Sequence, residues 1–461
     1  MRTGNWGPGS PERPTPITGM LLCGSDLVRR VCRSMRDASL GIMSSRARVH
    51  ETSPVALPWG RAGVAALRAA MLGFFAESRR DLPWRGDVDP YRVLVSEFML
   101  QQTRVDTVVP YFLKWMERFP TLHSLSEADG EEVLRLWQGL GYYSRARRLQ
   151  EVVREVEARY GGAIPSDPRL LEAMTGIGPY TAGAVASIAF GVPVGAVDGN
   201  VRRVLSRLLD EPRPSARRLE QVASALVDPD QPGEFNQAMM ELGSLVCTPR
   251  VPKCESCPVR PICRARAAGT WLERPMSASR GPIRKRIEVV AVLVGWGADC
   301  IPGARRGRVA EDLSRSGRWR ALLRKRPPQG LLAGMWEFPG LEVADGTDPG
   351  ARIRELAGAL LDEAGLSSVK EAGCLDGRGA PVALPPFEHL FSHLRVRYLP
   401  YVFRVAVPRG LSTPTGTYRW TSARDAVDVP LPAAQRTLWA SVEAEFMRDG
   451  APVPKDTRQE E

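Results

Sequence analysis

Apolar residues divide the chain before any motif does. From Val64 onward they recur at three- and four-residue steps, with Leu67, Met71 and Phe74/Phe75 on one stripe, and similar sets continue to about Thr270. That period predicts a succession of helices, separated by Gly/Pro punctuation. Near residues 274–286 the pattern gives way to Pro, Ser and Arg, as expected of a linker. Beyond it Ile287–Val294 is an apolar, β-branched run and Leu399–Val407 a second, with a helix-like segment near Ala351–Ala364 between them. This half is expected to be α+β. Residues 1–60 carry no sustained apolar period and are rich in Pro, Gly, Ser and Arg, a composition expected to be disordered. A misassigned translation start is the second reading of this stretch, because Met35 and Met43 lie closer to the first expected helix. The expected organisation is an extension over 1–60, a helical domain over 61–270, a linker over 271–286, an α+β domain over 287–448 and a disordered tail over 449–461.

A length of 461 residues and a hydrophobic share of 43% suit a protein of two folded units. No apolar run approaches the roughly 18 residues of a membrane span, so no membrane association is expected. The formal net charge of +11 suits a polyanionic partner. Arginine greatly outnumbers lysine, which points to a GC-rich genome and hence to the cytoplasm and nucleoid of a bacterium. A monomer is expected.

Cys23, Cys32, Cys300 and Cys374 are scattered, whereas Cys247-x6-Cys254-x2-Cys257-x5-Cys263 crowds four thiols into one segment. Such crowding in a cytosolic protein indicates a metal site before it indicates disulfides. One loop then supplies every ligand to a soft metal centre. A structural zinc more often uses two separated Cys-x2-Cys knuckles, but spacing by itself does not choose between zinc and an iron–sulfur cluster. Upstream, an apolar helix runs into Gly176-x-Gly178, and Pro179 opens the next helix. The glycines permit a tight hairpin with bare amides, and amides at a helix start form a phosphate seat. An ordinary helix–turn–helix loop is the alternative.

At this point the sequence resembles the helix–hairpin–helix DNA glycosylases, in particular the MutY adenine glycosylases. The resemblance runs from about Leu82 to Cys263 through Leu82-Pro-Trp-Arg85, Pro90-Tyr91, Ser96-Glu-Phe-Met-Leu-Gln-Gln-Thr103, Gly139-Leu-Gly-Tyr-Tyr143, Val197-Asp-Gly-Asn200 and Phe235-Asn-Gln-Ala-Met-Met240. It implies an all-α, two-lobed core with a DNA cleft and one [4Fe–4S] cluster on Cys247, Cys254, Cys257 and Cys263. It also implies a partner, double-stranded DNA carrying adenine opposite 8-oxoguanine or guanine.

Glu97 lies in the apolar helical run Val93–Leu100, where a carboxylate has a raised pKa suited to a general acid. The resemblance makes it the group that protonates adenine N7. Asp198, before Gly199, reads as a helix N-cap for Val201–Leu208 and, by the resemblance, as the charge that stabilises the oxocarbenium-like sugar. The resemblance implies that Asn200 holds it. Tyr180 stands where bifunctional relatives carry a lysine; tyrosine forms no Schiff base, so strand cleavage is not expected. Gln101, Gln102 and Tyr142 match residues that enter the duplex, and Trp84, Arg85 and Gln237 match residues lining the pocket for the flipped adenine.

In the second half, Gly334-Met-Trp-Glu-Phe-Pro-Gly340 and its surroundings resemble the Nudix-like C-terminal domain of the same family. Leu360-Leu-Asp-Glu-Ala-Gly-Leu366 is similar to the end of a Nudix box, but Gly358-Ala359 replaces the Arg-Glu pair, so binding without hydrolysis is expected. Phe391-Ser392-His393 matches the family loop that inspects 8-oxoguanine, with hydrogen-bonding groups beside a stacking ring. The rival readings are an oxidised-pyrimidine or thymine–guanine mismatch glycosylase of the same core, a Nudix hydrolase fused to a DNA-binding module, and a non-catalytic lesion-binding protein. Tyr180, Glu97, the absent Arg-Glu pair and the intact Glu97/Asp198 couple argue against them in turn.

Overall fold

The computed structural model describes residues 55–85, 88–276, 281–297, 319–364, 381–407 and 416–448. The expected disorder of residues 1–54 and 449–461 lies outside them. Helices occupy the first half: α1 (Gly60–Ser78), α2 (Pro90–Leu100), α3 (Val105–Arg118), α4 (Leu122–Ser126), α5 (Gly130–Leu136), α6 (Ser144–Tyr160), α7 (Pro168–Glu172), α8 (Pro179–Phe190), α9 (Gly199–Leu209), α10 (Ala216–Leu226), α11 (Pro232–Leu245) and α12 (Arg264–Ala268). Their starts follow local chemistry. Asp89, Asp129, Asp167, Asp198 and Ser215 each cap a helix by accepting a first-turn N–H. Proline is the first helical residue of α2, α7, α8 and α11.

α8 is apolar around its whole circumference, Thr181–Ser187 all being buried, and so threads the interior. It packs on α2, α7 and α11. Two of these carry the candidate chemistry, Glu97 on α2 and Gln237 on α11, while Tyr180 is on α8 itself. The extension read as disordered to residue 60 is anchored at its end, because the Trp59 indole N–H donates to the Ile262 carbonyl at 2.9 Å.

In the second half β1 (Arg284–Gly297), β2 (Arg320–Lys325), β3 (Trp336–Glu337), β4 (Gly340–Val343), β5 (Val382–Ala383), β6 (Phe387–Leu390), β7 (Leu394–Val407) and β8 (Tyr418–Ser422) form one mixed sheet. β1 and β7 pair in parallel from Arg284↔Leu394 to Gly297↔Val407; the other pairings are antiparallel. β1 starts at Arg284, inside the stretch whose composition read as linker to Arg286. Val290, Val292 and Val294 pack with Leu438, Trp439 and Val442 of α14 (Ala433–Arg448). Val289, Ala291 and Leu293 face Ile353, Ala357 and Leu360 of α13 (Pro349–Glu363). A strand covered on both faces reads as a continuous apolar run rather than an alternating one.

The two halves touch through α5 and α6. Met335 is fully buried among the helical core residues, Lys325 pairs with Glu131 at 2.6 Å, and Arg147 donates to the Pro328 carbonyl at 2.9 Å. Among the described residues no helix is long and apolar enough to cross a membrane.

Candidate active site

Glu97 points inward from α2, whose residues Val93–Met99 are all buried, and is itself 5% exposed. Loss of water raises its carboxyl pKa to about 7; the Tyr180 hydroxyl and Arg85 pull the other way, and Asp198 adds to the rise. Tyr180 donates its hydroxyl proton to Glu97 Oε2 and lies 3.8 Å from Met240 Sδ. Burial beside two carboxyls lifts the phenol pKa well above its ordinary value, so Tyr180 stays a donor.

Asp198 caps α9, accepting the Val201 N–H at 2.6 Å and the Asn200 side-chain amide at 3.0 Å. Burial raises its pKa; those hydrogen bonds and Arg203 restrain the rise. Asn200 is gripped in turn, its Oδ1 accepting from Arg203 at 2.9 Å. Arg203 also donates to the carbonyls of Gly243 and Cys247, at 2.7 and 2.8 Å. Gly243 is obligatory there, since an added Cβ would come within 2.6 Å of Asn200.

Glu97, Tyr180, Asp198, Asn200, Trp84, Arg85 and Gln237 line one cavity of about 150 Å³. Trp84 is held edge-on by Phe112 at 5.2 Å, and Gln237 donates to the Gly233 carbonyl at 3.2 Å. Arg85 and Arg80 both reach Glu241. Burial would raise the Glu241 pKa, but the two guanidiniums carry it below its ordinary value. The cavity adjoins an open cleft of about 990 Å³ bordered by Gln101, Gln102, Arg104 and Arg202, with Asp198 and Tyr180 on the shared wall.

Gln102 and Tyr142 have positive φ, 59° and 48°, and Tyr142 is 46% exposed. Non-glycine residues adopt that conformation when the surroundings enforce it. The enforcing group is Arg145, which the motifs did not single out. Buried in α6, it donates to the carbonyls of Phe98, Met99, Gln101, Leu140 and Gly141 and to Thr103 Oγ1. One guanidinium therefore ties the end of α2 to the Tyr142 turn. Gln101 reaches Thr181 Oγ1 at 3.3 Å. Gly176 has φ 104° and lies against Arg148, while Gly178 opens α8 with no side-chain cap, leaving the first-turn amides free for an anion.

Cys247, Cys254, Cys257 and Cys263 line one pocket together with Arg207, Arg266 and Trp271. Among the described residues no three His, Cys, Asp or Glu side chains are grouped to hold a metal ion. Burial, followed by the neighbouring thiols, pushes Cys257 up to about 11. Burial raises Cys254 and Cys263 as well, so these thiols ionise when a positive centre sits among them, and a donor set of four cysteines fits a soft polynuclear group. Arg207 donates to Cys247 Sγ at 3.3 Å and to the Thr248 and Pro249 carbonyls, pinning the loop to α9.

Phe391, Ser392 and His393 form the turn between β6 and β7, closed by the Phe391 N–H on the Leu394 carbonyl at 2.8 Å. Ser392 and His393 are exposed and 3.3 Å apart; the Phe391 ring packs edge-on against His389 at 4.6 Å. None of the three lines the Glu97 cavity. Gly358 stands buried in α13 against the sheet, and Glu363 accepts from the Tyr418 hydroxyl.

Two family models agree with this architecture. Residues 95–229 match the HhH-GPD superfamily of base excision DNA repair proteins, and residues 313–441 match the NUDIX domain. The solved structure of a thermostable thymine-DNA glycosylase is similar over 45% of this chain and 98% of its own, with 28% identity and a TM-score of 0.43. Fold and site together define a base excision repair glycosylase with a Nudix-like domain appended. The adenine DNA glycosylase of Rattus norvegicus is 35% identical over 436 residues, 82% of this chain and 78% of that one. That of Homo sapiens is 37% identical over 425 residues, 79% and 71%. The chain belongs to the adenine DNA glycosylase family.

Proposed function

We propose that the protein hydrolyses the N-glycosidic bond of adenine opposite 8-oxoguanine or guanine in duplex DNA, without cutting the strand. The observation that carries this reading is a dehydrated carboxyl with pKa about 7, Glu97, sharing one cavity with a hydrogen-bonded carboxylate, Asp198. Glu97 holds a proton near neutrality and delivers it to the departing base. Tyr180 orients it through the donated hydrogen bond. Asp198 is held with one oxygen on the α9 amide and the other on Asn200, so its charge is preorganised for the cationic sugar.

Gln101, Gln102 and Tyr142 on the cleft side support extrusion of the nucleotide, the free amides at Gly176–Gly178 a phosphate contact, and the Phe391–His393 turn the reading of the opposing base. A [4Fe–4S] cluster on the four cysteines would cross-link the loop that Arg203 and Arg207 join to the Asp198 helix. The test is single-turnover excision on duplexes with adenine opposite 8-oxoguanine, guanine or thymine, and thymine opposite guanine. Excision of thymine, or an abasic strand cut without alkali, would refute the reading.

A further inference from the structure

Behind the reaction cavity lies a second space, of about 300 Å³, bordered by Phe75, Arg79, Val88, Asp230, Gln231 and Glu234. Its volume is far above the roughly 30 Å³ share of a single water. It borders the reaction cavity through four common side chains, Trp84, Arg85, Ile188 and Gln237, and shares none with the cleft. Three spaces therefore lie in series, with the reaction cavity in the middle.

The partition between the rear two is unequally built. Trp84 is fixed by Phe112, and Arg85 is tethered to the Arg80 carbonyl, to Glu241 and over the Phe75 ring. Among the described residues the Gln237 side chain has one hydrogen bond, from its amide back to the Gly233 carbonyl one turn earlier on its own helix. When Gln237 turns aside, the partition loses one side-chain hydrogen bond.

We propose that the rear space is the exit for the cut base, with Gln237 as its door, so that adenine leaves while the abasic DNA still fills the cleft. Once the glycosidic bond is broken nothing ties the base to the strand, and the cleft side is blocked by the sugar it has just left. The outer rim, with Arg79, Asp230 and Glu234 exposed, opens to solvent. This rests on the adenine-excising reading above, and the two separate in one experiment.

Duplex carrying tritiated adenine opposite 8-oxoguanine is fixed to beads, saturated with full-length protein and allowed one turnover. Denaturing quench counts bonds cut; the washed supernatant counts adenine released while protein and DNA remain on the bead. Cleavage without early release overturns the exit, whereas absence of cleavage overturns the parent reading. Val88→Trp and Glu234→Trp then fill the rim from exposed positions, outside the Glu97 cavity. Both should cut at the parental rate and release adenine at least tenfold more slowly. Early release that neither plug slows would place the exit elsewhere and overturn the proposal. Should both variants fail to fold, the milder plug Val88→Phe reads the route, and release in the parent protein only after the DNA has left still overturns the proposal.

Discussion

The Glu97 cavity and the Phe391–His393 turn are held in opposite ways. Around Glu97 each polar group is fixed by another: Tyr180 on Glu97, Asn200 on Asp198, Arg203 on Asn200. Among the described residues the turn is held by one backbone bond, the Ser392–His393 contact and the Phe391 ring against His389, with Ser392 and His393 in solvent. A site that stabilises developing charge must be organised before the substrate arrives. A reader completes its hydrogen bonds on the base it reads, so leaving its donors free in the unbound protein costs nothing. Substitutions should therefore lower the rate in the first region and selectivity in the second.

The largest effect is expected from Glu97→Gln, which keeps shape and hydrogen bonding but cannot deliver a proton. Single-turnover excision should fall by two to four decades while DNA binding, read by titration, is retained. Asp198→Asn should fall by about a hundredfold or more. The parent enzyme should lose activity tenfold per pH unit above about 7, as Glu97 surrenders the proton it must deliver. It should also lose activity on the acid side as Asp198, raised by burial, becomes neutral. A flat profile from pH 6 to 9 would remove Glu97 from proton delivery.

Arg145→Met comes next. It strands several buried carbonyls at about 1–3 kcal/mol each, so a loss of roughly 3 kcal/mol or more in denaturant unfolding is expected. The Gln102 and Tyr142 backbones would relax from positive φ, and binding to mispaired duplex should weaken further than stability alone explains. Full stability in the variant would mean that water replaces the guanidinium.

Glu97, Asp198 and the strands were legible because their signals are local: a carboxylate in an apolar helical run, an Asp before Gly at a helix start, β-branched runs. Arg145, Arg203 and Glu241 were not, because their partners are distant in sequence; Arg80 and Glu241 are 161 residues apart. A fainter signal existed. Arg207 follows Val204 and Leu205 on the buried face of α9 and is 3% exposed, and an arginine at core spacing asks for carbonyl partners. Tyr180 borders the cavity together with Asp198, but the motif did not say which of the two carboxyls its hydroxyl bonds; it is Glu97, a choice settled by how α8 crosses α2.

The smallest effect, and the one that sharpens the contrast, belongs to Ser392→Ala with His393→Ala. Both side chains are exposed and, among the described residues, bond to no other element, so stability should stay within about 0.5 kcal/mol. Excision of adenine opposite guanine should be nearly unchanged, because neither residue borders the Glu97 cavity. 8-Oxoguanine differs from guanine by an oxygen at C8 and an N–H at N7, so a reader gains one or two hydrogen bonds from the lesion. Losing them should narrow the 8-oxoguanine preference roughly ten- to a hundredfold, at 1.4 kcal/mol per decade. Paired binding and single-turnover measurements on the two duplexes check this. If preference falls while the rate opposite guanine holds, reading and chemistry are separable. If instead both rates fall together, the turn supports the reaction cavity and the contrast between the two regions fails.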